Sequence, residues 1–148
     1  MHNLSRYEEA FSSYDKATQL RPNDSQAWYN RGNALYKLAR YQEALNSYNK
    51  ALQKQQNYYQ AWYSHGNTLV SLQRYQQAVE SYNQAIRYQP DYKEAKKARD
   101  KLQKLLAEKQ SQAEEEEQEE KQLERRGLLR QLSSQLKRQD RDGEEEKR

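Results

Sequence analysis

Apolar and aromatic side chains recur at helical spacings through the first two thirds of the chain. Trp28, Gly32 and Leu35 fall at i, i+4 and i+7, and Tyr41, Ala44, Tyr48 and Ala51 follow at i, i+3, i+7 and i+10. Each set forms one stripe of an amphipathic helix, and the two helices meet near Ala39 and Arg40. The pattern predicts paired helices and an all-α fold. Gly32 and Gly66 sit inside predicted helices, where glycine costs ~1 kcal/mol relative to alanine. The expected compensation is close approach of a neighbouring helix backbone, and the small Ala44, Ala51, Ala78 and Ala85 fit the same reading.

Sliding the sequence against itself gives a period of 34 residues. AWYNRGNAL at Ala27 to Leu35 overlies AWYSHGNTL at Ala61 to Leu69, and LSRYEEA, LARYQEA and LQRYQQA begin at Leu4, Leu38 and Leu72. SYDKA, SYNKA and SYNQA start at Ser13, Ser47 and Ser81. A fixed period of this length marks a stacked array, in which each unit buries its apolar face only against its neighbours.

The series Trp28, Gly32, Leu35, Ala44, Tyr48, Ala51 and its copy Trp62, Gly66, Leu69, Ala78, Tyr82, Ala85, Pro90 resembles the tetratricopeptide repeat. The resemblance implies a right-handed α-solenoid of antiparallel helix pairs, with repeats at 25–58 and 59–92 and the second half of a truncated repeat at 1–24. Arg31 and His65 stand where the family usually has Leu, and Gln56 stands where it usually has Pro. The helix that should cover Tyr7, Ala10, Phe11, Tyr14 and Ala17 is mostly missing. Self-association through this edge, or a longer array of which the chain is a piece, is therefore expected.

Beyond the repeats the character changes. Asp91 and Glu94 resemble an N-cap with its acidic partner, and Ala95, Ala98, Leu102, Leu105 and Leu106 form a stripe, so a capping helix is predicted at 91–110. Six Glu between Glu114 and Glu120 repel one another at i, i+4; a frayed or disordered Glu-rich spacer is expected at 111–127. Leu128, Leu129, Leu132 and Leu136 line a short basic amphipathic helix at 128–139, and 140–148 is expected to be a disordered terminus. The four leucines are candidates for docking onto the chain's own solenoid or a neighbouring copy.

Composition narrows the chemistry. Only 20 of the 148 residues are Leu, Ile, Val or Phe, but 13 Tyr and 2 Trp supply additional apolar area. Residues 1–110 carry 17 Lys and Arg against 10 Asp and Glu, whereas 111–148 carry 9 against 12. With no Cys and two His, thiolate chemistry is excluded and a histidine metal site is not expected. No segment approaches the ~20 apolar residues of a membrane span, and a cytoplasmic protein is expected. His65 lacks a catalytic partner at helical spacing and is read as structural, and His2 as terminal. No nucleotide-binding, acyl-transfer or metal motif occurs. The chain is thus expected to have no catalytic residue, cofactor or metal.

Once the stripes are committed to packing, the first helix of each repeat leaves Gln26, Tyr29, Asn30, Asn33, Tyr36 and Lys37, then Gln60, Tyr63, Ser64 and Asn67, on another face. Such faces usually carry Glu and Lys. Stacked repeats make this one concave surface, and the resemblance implies that it binds a peptide or partner helix. Asn33 and Asn67 are expected to hold a peptide backbone through bidentate amides, free of the packing stripe, with Tyr29 and Tyr63 as rigid walls. In the subfamily that grips chaperone C-terminal carboxylates, Lys, Asn and Arg line this face. Tyr29 stands here where the first Lys belongs, leaving the clamp incomplete, while Lys97 and Lys101 on the cap helix attract an acidic ligand to the groove's end. The expected function is a protein interaction scaffold. The alternatives are an RNA-binding solenoid and a peripheral membrane adaptor using the basic Leu-rich tail.

Overall fold

The computed structural model describes residues 2–148; the side chain of His2 lies outside the described set. Six helices follow in order: α1 (His2–Leu20), α2 (Ser25–Lys37), α3 (Tyr41–Lys54), α4 (Tyr59–Ser71), α5 (Tyr75–Tyr88) and α6 (Lys93–Glu146). No strand occurs among the described residues. The chain divides into two units, the first ending at Leu105 and the second spanning Leu106–Arg148.

In the first unit α1 packs on α2, α2 on α3, α3 on α4 and α4 on α5. The core is built from small and aromatic residues, because the aliphatic supply is short. One cluster joins Leu35, Ala44 and Tyr48, with Phe11, Tyr29 and Tyr36 packed against it. The next joins Ala51, Leu52 and Ala61, flanked by Trp28, Tyr58 and Trp62. Ala44, Ala51, Ala61, Ala78, Ala85 and Ala95 are fully buried, so helices approach closely wherever an alanine recurs.

The two repeats solve their local problems identically. Trp28 Nε1 donates to the Pro22 carbonyl at 2.8 Å, and Trp62 Nε1 to the Gln56 carbonyl at 2.8 Å. The tryptophan therefore pins the preceding loop whether Pro or Gln stands there. The turn within each pair places a non-glycine residue in the left-handed region, Ala39 at φ 57° and Gln73 at φ 59°. That residue lets the Arg40 and Arg74 amides reach back to the Leu35 and Leu69 carbonyls, a closure that satisfies helix-end carbonyls. At Gly32 and Gly66 the expected close approach exists, but its partner is a ring and not a backbone. An added Cβ would stand 2.7 Å from Tyr48 Cε1 or Tyr82 Cε1.

The expected breaks after residue 110 are absent. α6 starts at Lys93, two residues beyond the predicted start, and continues through the expected Glu-rich spacer and most of the expected disordered terminus to Glu146. Glu, Gln, Lys, Arg and Leu are good helix formers. Like-charge pairs cost only tenths of a kcal/mol each, and the Gln110–Glu114 and Glu117–Lys121 bonds at i, i+4 oppose them. In the second unit Leu123, Leu128, Leu129, Leu132 and Leu136 are between 55% and 65% exposed.

Candidate functional site

Helix α2 contributes Asn33, Tyr36 and Lys37 and helix α4 contributes Ser64 and Asn67 to one pocket of about 280 Å³, floored by Tyr48 from α3. Five of the residues expected in a groove are thereby brought together. Tyr29 and Tyr63 instead engage other rings. Tyr29 lies 4.9 Å from Tyr58 and 5.9 Å from Tyr48, and Tyr63 lies 5.2 Å from Tyr92 and 5.8 Å from Tyr82, centroid to centroid. Each is half-buried with a ring on two sides, and neither lines the pocket. Asn30 and Gln60 are half-buried, and Gln26, Lys97 and Lys101 are exposed; none of these five lines the pocket.

The asparagines depart from expectation. Tyr48 Oη donates to Asn33 Oδ1 at 2.6 Å, and Tyr82 Oη donates to Asn67 Oδ1 at 2.6 Å. Burial raises both phenols far above their usual range, with Tyr29 adding to the effect at Tyr48 and Tyr63 at Tyr82, so both hydroxyls stay protonated and keep donating. Neither amide is therefore free of packing. Each holds its Oδ1 on a buried tyrosine and has an Nδ2 without a protein partner among the described residues. Tyr58 and Tyr92 are pushed up to about 12, chiefly by burial and then by Tyr29 and Tyr63 respectively. The pocket thus presents hydroxyls, amides and the Lys37 ammonium.

His65 is half-buried, with Nδ1 2.8 Å from Ser81 Oγ and Nε2 2.8 Å from Asn49 Oδ1. Burial lowers its pKa to about 4. The neutral ring bridges Asn49 and Ser81, and the Ser81 hydroxyl also reaches the Gln77 carbonyl at 3.2 Å. Arg31 holds the equivalent place between Asp15 and Ser47. These partners, and the anchoring role of Tyr48 and Tyr82, escaped the sequence reading, although Ser47 with Ser81 and Tyr48 with Tyr82 recur at the period. Among the described residues no group of His, Cys, Asp or Glu is placed to hold a metal ion. No helix is long and apolar enough to cross a membrane.

Comparison with known proteins agrees with this fold. The family described as Tetratricopeptide repeat matches residues 25–58 and 59–92, and the one described as TPR repeat matches residues 2–39. The chain is a tetratricopeptide-repeat protein. Its fold is similar to the first such domain of Spaghetti (RPAP3), solved with the HSP90 peptide SRMEEVD, at 24% identity and TM-score 0.68 over 72% of this chain and 84% of that one. The Arabidopsis OM64 domain matches at 25% identity and TM-score 0.66, over 70% of this chain and 85% of that one. YrrB, described as having an unusual peptide-binding site, matches at 26% and 0.62, over 66% of this chain and 50% of its own. A search of curated proteins returned no match.

Proposed function

We propose that the chain is a non-catalytic scaffold that holds an extended segment of a partner protein in the groove between α2 and α4. The observation carrying this is the pair of asparagines whose oxygens are occupied by buried tyrosines while their Nδ2 groups are left to an outside acceptor. A surface made only to stack repeats needs apolar contact and gains nothing from an oriented donor. Several neighbours of this fold were solved with HSP90 or HSP70 peptides, which supports a peptide as the class of ligand.

Selection from a random peptide library tests the reading. The wild-type chain should enrich a family of sequences that the Asn33→Asp, Asn67→Asp double variant does not retain. Aspartate still accepts from Tyr48 and Tyr82, so the fold survives while the donors disappear. Peptides held equally by the double variant would overturn the groove assignment. Affinity for RNA that falls steeply with salt, with no peptide enriched, would identify a phosphate-driven binder instead.

A further inference from the structure

A face of α1, away from the groove, repeats one that is covered elsewhere in the chain. Ala44, Ser47, Tyr48 and Ala51 of α3, and Ala78, Ser81, Tyr82 and Ala85 of α5, are all buried, because α2 and α4 pack on them. Tyr48 rests on Gly32 and Tyr82 on Gly66, while the residue before each glycine, Arg31 or His65, meets Ser47 or Ser81. Helix α1 carries the same four residues at Ala10, Ser13, Tyr14 and Ala17. Here Ser13 is exposed and the other three are only half-buried. Neither the Ser13 nor the Tyr14 hydroxyl has a hydrogen bond among the described residues.

The complementary half lies in α6. Gly127 has nothing within 4 Å of where a Cβ would stand, so it lowers helix propensity with no contact in return. Its surroundings follow those of the packed glycines: Leu123, Arg126 and Gly127 have the spacing of Trp28, Arg31 and Gly32, and all three are exposed. Setting Gly127 on Tyr14 in the antiparallel sense of α2 on α3 brings Arg126 to Ser13 and Leu123 to Ala17. Arg130 takes the place of Leu35, its stem over Ala10 and its guanidinium toward Glu9. Pairing the α6 leucines with themselves fits less well. An antiparallel pair centred on Leu132 sets Arg126 against Arg138 and Glu120 against Glu144, and a parallel pair in register opposes every charge with itself.

Helix α6 runs unbroken from Lys93 to Glu146, and a donor from another molecule leaves it intact. We infer that the open face of α1 receives residues 123–132 of α6 from a second copy of this chain, with Gly127 seated on the Tyr14 ring.

Sedimentation of the full chain over a range of concentrations tests the inference. The mass should rise above the 17.8 kDa of one chain, and the melting temperature should rise with concentration. Gly127→Ala should weaken the association about tenfold or more by placing a Cβ against the ring. The same change favours helix in the free chain, so the loss cannot come from a damaged α6. Ser13→Lys alters an exposed site and sets an ammonium against Arg126; it should weaken association by a similar factor, and adding Arg126→Glu should restore it. Circular dichroism at low concentration checks that each variant keeps its helices. A chain that stays monomeric at every concentration would overturn the inference, as would association indifferent to Gly127→Ala or to Ser13→Lys. A Ser13→Lys defect that Arg126→Glu does not relieve, or association lost on replacing Leu136 but not on Ser13→Lys, would place the contact elsewhere and overturn it too.

Discussion

Arg31 Nε donates to Asp15 Oδ1 across 3.0 Å, joining α2 to α1 at a seam where the repeat family usually places leucine. The same guanidinium reaches Ser47 Oγ at 2.6 Å and lies over the rings of Phe11 and Trp28. One repeat later His65 bridges Asn49 and Ser81. The charged seam has a charged partner and the neutral seam a neutral one.

This pairing sets the sign of a mutational test. Asp15→Ala strands a cation whose side chain is only 20% exposed and should lower unfolding stability by about 1–2 kcal/mol. Adding Arg31→Leu should recover most of that loss, since replacing both partners by apolar groups is often neutral. Urea unfolding of the two variants checks it; a double variant less stable than Asp15→Ala would contradict the seam as described.

The second seam responds to pH. His65 has a folded pKa of about 4 against 6.5 when unfolded, so below 6.5 the unfolded chain takes up the proton first. Stability from the neutral ring is complete above pH 6.5 and is lost as pH falls toward 4. The wild-type denaturation midpoint should drop between pH 7 and 5. His65→Leu should flatten that drop, and an identical slope in the variant would show that His65 is not its source.

Much of this fold was legible because the period repeats bulky and small residues together. Trp28 with Trp62 and Gly32 with Gly66 each mark one packing position of the repeat. The polar half of the site was less legible. Tyr48 and Tyr82 belong to the packing stripe by spacing, and nothing in a linear pattern shows that a buried phenol reaches across to an asparagine on the facing helix. The continuity of α6 was missed for another reason. Repulsion among Glu114–Glu120 is visible in sequence, whereas the accumulated small preference of each Glu, Gln and Lys for helix is easily undercounted.

The four glycines divide into two kinds, and alanine substitution should separate them. At Gly66 the new Cβ meets Tyr82 at 2.7–2.8 Å, and that ring is buried and tied to Asn67. Overpacking of ~1–3 kcal/mol outweighs the gain in helix propensity, so Gly66→Ala should destabilise. At Gly127 nothing lies within 4 Å, and Gly127→Ala should stabilise α6 locally by about 1 kcal/mol. Hydrogen exchange near residue 127 and thermal unfolding of the repeats would read the two effects independently.

The turns inside the helix pairs hold a reserve of stability. Ala39 and Gln73 occupy the left-handed region at φ 57° and 59°, where a Cβ costs about 1 kcal/mol or more. Both are exposed, and neither side chain has a hydrogen bond among the described residues. Glycine at these sites removes the steric cost but adds conformational freedom to the unfolded chain, offsetting roughly 0.4–1 kcal/mol. The balance favours glycine slightly, because the φ here is one that alanine and glutamine resist. Ala39→Gly and Gln73→Gly should each raise stability by a few tenths of a kcal/mol, up to about 0.5. The two sites lie in different repeats, so the increments should add. A control Gly placed two residues earlier, at Lys37 or Ser71, interrupts helix and should destabilise by about 0.5–1 kcal/mol. Melting curves of the four variants check the reading: a loss at 39 and 73 equal to that at 37 and 71 would mean that the positive φ carries no strain.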